Sequence, residues 1–181
     1  MRRNRGRGNG AYMDPGIIIG NACTLLATGA NAVSSTRKSA KGVLGWQCIS
    51  QVIYFVCAVV LRGYSGAVQN VVSLLRNLAA IRNVKSKALE WSLTVAGVVL
   101  GLVFNNRGLM GLLPVVGNLQ YTLAIFRFQD NARILKLSFL LSSVAYAVFN
   151  AVILNYVGVV TDSVVAVTTA VVLIKDAKKK A

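Results

Sequence analysis

The sequence predicts an all-α fold, a polytopic membrane helical bundle. About seven transmembrane helices are expected, as two parallel three-helix repeats joined by a linker helix. Three observations predict it. Hydrophobic residues make up 55% of the 181 positions and charged ones only 14%, whereas a soluble domain needs about 25% charged residues to dress its surface. The charges are bunched, leaving long uncharged runs between them. Shifting the chain by 92 positions lays its second half over its first.

Lipid offers no partner to backbone N–H and C=O groups, so a spanning helix needs roughly 20 predominantly apolar residues. Asp14 and Arg37 enclose the first such run, which predicts a span over 16–35. Lys41 and Arg62 enclose the second, 43–62. The third, 64–82, reads YSGAVQNVVSLLRNLAAIR and embeds Arg76. The fourth, 88–105, is short between Glu90 and Arg107, and snorkelling at its ends extends it. Arg107 and Arg127 enclose the fifth, 109–127. The run from Lys136 to Asp162 is too long for one span, and a break at Asn155-Tyr156 divides it. That yields 134–154 and 156–174, the latter embedding Asp162. The connections are short, so sequential helices must pack antiparallel.

The expected organisation is a disordered basic leader over 1–15, a first repeat over 16–82 and a linker helix region over 83–107. A second repeat over 108–175 and a basic cytoplasmic tail over 176–181 complete it. The leader MRRNRGRGNG reads as solvated tail rather than a nucleic-acid arm, and no nucleic-acid partner is expected. A competing reading makes residues 1–32 a signal peptide with Ala30-Asn31-Ala32 at its cleavage site. The length of the apolar stretch and the nearby Arg37, Lys38 and Lys41 argue for a retained span.

Within the repeat, Ser50 meets Ser142, Tyr54 meets Tyr146, Tyr64 meets Tyr156 and Gly66 meets Gly158, with four Val–Val matches between them. A three-helix unit reverses direction in the membrane, and an odd linker helix restores it. The two units are therefore expected to be parallel repeats about an axis along the membrane normal.

Counting Lys and Arg sets the orientation. With the N-terminus outside, thirteen basic residues fall on inner connections and the tail, from Arg37 to Lys180, against Arg62 and Arg107 outside. The C-terminus is expected to be cytoplasmic. The four leader arginines conflict with this, and a start at Met13 removes them.

The runs GLLPVVGNLQYTLAIF (111–126) and NVVSLLRNLAAIR (70–82) resemble those of the bacterial inner-membrane YgjV family, over about 16–175. That resemblance implies a multi-pass protein of the inner membrane. More distantly, the three-one-three helix plan is similar to that of the SWEET and PQ-loop transporters, whose first and fifth helices carry a proline kink. Pro114 matches as a hinge, while Ala22 stands at the other position. The similarity also implies a substrate-facing Asn on the third helix of each half. Asn70 occupies that place in the first half, and Asp162 replaces it in the second.

Ionisable groups inside a membrane are costly and usually have a task or a partner. Arg76 and Asp162 could pair with one another, or Asp162 could hold a proton or cation. Gln69, Asn70, Ser73, Arg76 and Asn77 recur at helical spacing on the third span. Gln47, Gln51, Tyr54, Ser142, Tyr146 and Asn150 add polar groups on the second and sixth spans, and Thr161, Thr168 and Thr169 on the seventh. The expected substrate-binding or pathway residues are Gln69, Asn70, Arg76, Asp162, Tyr54, Tyr146 and Asn150. Interhelical hydrogen bonding without transport is the alternative.

There is no His, no paired carboxylate motif and no phosphate loop, so an enzyme is not expected. Cys23, Cys48 and Cys57 lie in apolar runs without CxxC spacing, which reads as buried, inert thiols, and neither metal nor cofactor is expected. The expected partners are the lipid bilayer and an unidentified small solute, with homo-oligomer formation left open. The leading expectation is a small-solute transporter or permease with a central polar site. The alternative is a non-transporting assembly factor or sensor whose charges are structural.

Overall fold

The structure, a computed structural model, describes residues 14–178 except 36, 38, 39, 83, 85, 129 and 130. The leader, Met13 and the basic residues Lys38, Lys85, Lys179 and Lys180 lie outside the described residues. Seven α-helices are described: α1 Pro15–Ser35, α2 Ala40–Val60, α3 Tyr64–Ile81, α4 Lys87–Val103, α5 Leu113–Arg127, α6 Ala132–Val152 and α7 Tyr156–Lys178. A 3₁₀ segment, Gly108–Leu112, leads into α5. The chain packs as α1–α2–α3 and α5–α6–α7, with α4 between α3 and α5 and α1 against α7.

Local signals set the helix starts. Asp14 accepts from the Gly16 N–H at 2.9 Å and Pro15 follows it, a cap and a first-turn proline that need no intrahelical donor. Ser86 caps α4 through the Leu89 N–H and Asn131 caps α6 through the Ile134 N–H. The ends depart from the hydropathy limits. α2 begins before Lys41 and α7 runs on to Lys178, because a helix can continue past the apolar run wherever its charged side chains reach water.

Pro114 sits in the first turn of α5 and is buried. Its ring lacks an N–H and would clash with a helical carbonyl four residues back. The chain ahead of it therefore takes the tighter 3₁₀ form, and the expected hinge is a junction between two helix types.

The two sharp corners are alike. After α2, Gly63 N–H bonds Ala58 C=O and Arg62 N–H bonds Val59 C=O; after α6, Asn155 N–H bonds Asn150 C=O and Leu154 N–H bonds Ala151 C=O. Both are Schellman closures. Their left-handed residues are Arg62 (φ 56) and Leu154 (φ 60), neither a glycine. These positions lie 92 apart, as do both bounds of α2 and α6 and the starts of α3 and α7.

The interior inverts the usual order. The largest fully enclosed side chain is Gln69, and Thr24, Thr122, Ser50 and Ser65 are enclosed with it. Ile18, Leu25, Leu26, Val103, Val160 and Val167 are more than half exposed. A surface of aliphatic side chains over a polar, small-residue interior suits lipid as the surrounding solvent. Among the described residues four helical segments are long and apolar enough to cross a membrane: Pro15–Ser34, Gly108–Arg127, Arg133–Val152 and Tyr156–Lys178. The fold is that of a helical membrane bundle.

The two ends of the bundle are held differently. At one end, Leu61, Phe149 and Ile153 form a buried apolar cluster with Leu113 against it. Polar clamps surround it: Arg107 and Asn106 donate to the carbonyls of Leu61 and Arg62. Asn21 donates to the Leu154 carbonyl and accepts from the Val157 N–H. At the other end, where α1, α3, α5 and α7 terminate, Lys136 pairs with Asp176 at 2.6 Å and Arg127 with Glu90 at 3.6 Å. Arg37 and Arg127 there lie over the rings of Trp46 and Trp91.

Candidate functional site

The helical spacing of polar residues on α3 turns Gln69, Ser73, Arg76 and Asn77 inward, and all four are buried. Gln69 Nε2 donates to the Gly97 carbonyl of α4 at 2.8 Å, and its Oε1 accepts from Asn118 Nδ2 of α5 at 2.8 Å. Asn118 Oδ1 in turn accepts from Ser73 Oγ at 3.2 Å and from Arg76 Nη1 at 3.3 Å. Arg76 Nη1 also donates to Thr122 Oγ1 at 3.0 Å, and its guanidinium lies 5.4 Å from the Tyr121 ring centre. One continuous chain of polar side chains thus ties α3, α4 and α5 together.

Beside it lies a cavity of about 10 Å³, lined by Gln69, Thr94, Asn118 and Thr122 among apolar side chains. That is room for about one water. The Thr94 hydroxyl in its wall is buried and has no partner among the described residues. Gly101 lets α4 approach this closely. A Cβ on Gly101 would meet Val115 at 2.6 Å and Gln69 Nε2 at 2.7 Å.

Asp162 belongs to a second cluster. Its Oδ2 accepts from Asn150 Nδ2 at 2.8 Å, Asn150 Oδ1 accepts from Asn155 Nδ2 at 3.0 Å, and Asn155 Oδ1 accepts from the Gly158 N–H at 3.1 Å. Tyr54 and Tyr146, 92 positions apart in the sequence, both lie within electrostatic range of Asp162. The Tyr54 hydroxyl meets Thr28 Oγ1 at 3.3 Å, and Ser50 donates to Asn31 Oδ1 at 2.6 Å.

Of the two options for the intramembrane charges, direct pairing is not what the structure forms. The ion pairs among the described residues are Arg127–Glu90 and Lys136–Asp176. Arg76 is turned into α5, and Asp162 is held by its own helix pair. Nor does Arg76 snorkel outward, since it is only 9% exposed. On an insertion scale a central Arg or Asp costs about 2.5–3.5 kcal/mol, which a set of neutral hydrogen-bonding partners offsets in part.

Asn70 is half-buried and takes no part in the Gln69–Asn118 chain. Gln51 is half-buried, with its Oε1 enclosed and unpartnered. All three cysteines are free. Cys57 is buried, but Cys23 and Cys48 are half-buried, so the expectation of buried thiols holds for one of the three. Among the described residues no group of three or more His, Cys, Asp or Glu comes together that could hold a metal.

Several residues central to these clusters were not singled out from the sequence. Asn118 and Thr122, with Tyr121 between them, present an i, i+4 pair on α5. Asn21, Thr24, Thr28 and Asn31 recur at helical spacing on α1. Extending the α3 spacing test to these helices finds both sets, because the signal is the same one.

The family model for a bacterial inner membrane protein, Imp-YgjV, matches residues 18–180. No curated protein and no solved structure matches the chain.

Proposed function

The chain belongs to the Imp-YgjV family of bacterial inner-membrane proteins, and from that premise we propose that it is a multi-pass small-solute permease, not an enzyme. Its polar site lies between two parallel three-helix repeats, and its C-terminus is cytoplasmic. The observation that carries this reading is the buried run Gln69–Asn118–Arg76–Thr122, which joins the third helix to the fifth across the two halves. A bundle needing only adhesion can use Ser, Thr and small residues. A buried guanidinium is costlier than adhesion requires.

Further support comes from the matched corners at Arg62 and Leu154 and the shared spacing of α2 and α6, which fit a repeated unit. The three-one-three helix plan, similar to that of the SWEET transporters, fits alternating access by rocking of such halves. The end bearing the buried Leu61, Phe149 and Ile153 lies opposite the more basic connections, so by the positive-inside rule it is the outer end. Asp162 and Asn150, with Tyr54 and Tyr146 near them, form a separate cluster, which in this reading is a second polar station of the pathway.

The test is uptake of a metabolite panel into proteoliposomes. Flux in the wild type that falls at least tenfold in both Arg76→Gln and Asp162→Asn supports the reading. Unchanged flux in both variants removes the central site. A second reading is favoured by the one-water cavity and the well-satisfied Asn118 amide: a non-transporting membrane protein whose charges are structural. It predicts that Arg76→Gln and Asp162→Asn change stability without changing any uptake, and that the two effects add, because the side chains sit in separate clusters.

A further inference from the structure

Arg76 is a buried cation that pairs with no anion among the described residues. All its hydrogen bonds leave from Nη1, toward Asn118 Oδ1 and Thr122 Oγ1. Nε and Nη2 donate to no acceptor among the described residues. Among the described residues no carboxylate lies within ion-pairing distance of it, and Asp162 is engaged by Asn150. A buried lysine could release its proton, but an arginine cannot. Its neutral acceptors and the Tyr121 ring supply dipoles, not charge. A guanidinium with unused donors offers the fork that binds a carboxylate or phosphate through two N–H groups at once.

We propose that Arg76 is an oxyanion-binding site, so that the solute carries a carboxylate or phosphate group. The word solute rests on the permease reading; the binding itself does not. The same oxyanion chemistry is offered by a free small anion and by the phosphate of an anionic lipid headgroup, and the test separates the two.

Purified, delipidated protein is titrated with inorganic phosphate and with acetate at ionic strength held constant with chloride, and the thermal unfolding midpoint is followed. The expected result is a concentration-dependent rise in the wild type that is absent in Arg76→Gln. In Arg76→Lys the rise needs about tenfold more anion, because one charge-assisted hydrogen bond is lost. Asn118→Asp keeps Arg76 and places a carboxylate beside Nη1, so its midpoint stops responding. That variant decides the matter if Arg76→Gln does not fold. Nanodiscs of phosphatidylglycerol and of phosphatidylcholine provide the lipid arm. A rise in the former alone, lost in Arg76→Gln, makes the oxyanion a headgroup. A wild type that responds to neither anion nor to phosphatidylglycerol overturns the proposal, as does a full response in Asn118→Asp. Anion binding without flux keeps the site and removes the permease; flux of a neutral solute without an anion response removes the site alone.

Discussion

The Asn21 carboxamide on α1 donates to the Leu154 carbonyl at 2.9 Å across 133 residues of sequence, and its oxygen accepts from the Val157 N–H at 3.0 Å. One side chain thereby satisfies an acceptor at the end of α6 and a donor at the start of α7. In lipid such groups have no water to turn to.

Asn21→Ala should therefore lower stability by about 1–2 kcal/mol, the range for losing interhelical polar contacts of this kind. Asn21→Asp keeps the acceptor for Val157 and loses the donor to Leu154, so it should fall short of a full rescue. Thermal unfolding in detergent checks both. An unchanged midpoint in Asn21→Ala would mean that the clamp carries no weight.

Leu154 adopts φ 60 at the close of α6 and is 42% exposed. A non-glycine in the left-handed region costs about 1–2 kcal/mol, and glycine is the usual occupant of this position in a Schellman closure. Leu154→Gly should raise stability by about 1 kcal/mol after the added flexibility of the unfolded chain is subtracted. A shift of the unfolding midpoint in either direction decides this.

Gly158 and Gly97 should respond oppositely to alanine. A Cβ on Gly158 would come within 2.6 Å of Asn155 Nδ2 and 2.7 Å of Asn150, breaking the hydrogen bonds that hold Asp162. Overpacking of that kind costs about 1–3 kcal/mol, and Gly158→Ala should also match Asp162→Asn in any uptake assay. At Gly97 the nearest atoms lie at 3.5 Å, an ordinary contact. Gly97→Ala should be neutral or stabilising by up to about 1 kcal/mol, since alanine is the better helix former. Melting curves of the two variants side by side are the measurement.

The Lys136–Asp176 pair is short, at 2.6 Å, but its side chains are 37% and 48% exposed. Solvent and salt screen such a pair. Asp176→Asn should cost less than about 1 kcal/mol, and the difference from wild type should shrink further at high salt. A larger cost that persists in salt would mark a buried interaction at this end.

The matching positions of Tyr54 and Tyr146, and of Gly66 and Gly158, were visible in the sequence; what surrounds each was not. Gly66 admits the Phe149 ring, whereas Gly158 admits the Asn150–Asn155 pair. Two sites with the same residue at the same offset thus face different chemistry although both meet α6, because Gly66 on α3 reaches it across the bundle and Gly158 on α7 reaches it as the preceding helix.

By itself, the sequence determined seven helices and most of their limits. Hydropathy between charges is a local property, and a helix in lipid must satisfy its backbone within its own segment. It also determined that Gln69, Ser73, Arg76 and Asn77 share a face, because helical periodicity acts over a few residues. Only the tertiary structure decided that Arg76 turns to Asn118 and Thr122 while Asp162 turns to Asn150. A side chain's partner depends on the rotation and depth of helices far apart in the chain, and no spacing within one helix encodes that. The charges could be read from residues 76 and 162; that they stand apart, neither with a counter-ion among the described residues, belongs to the packing.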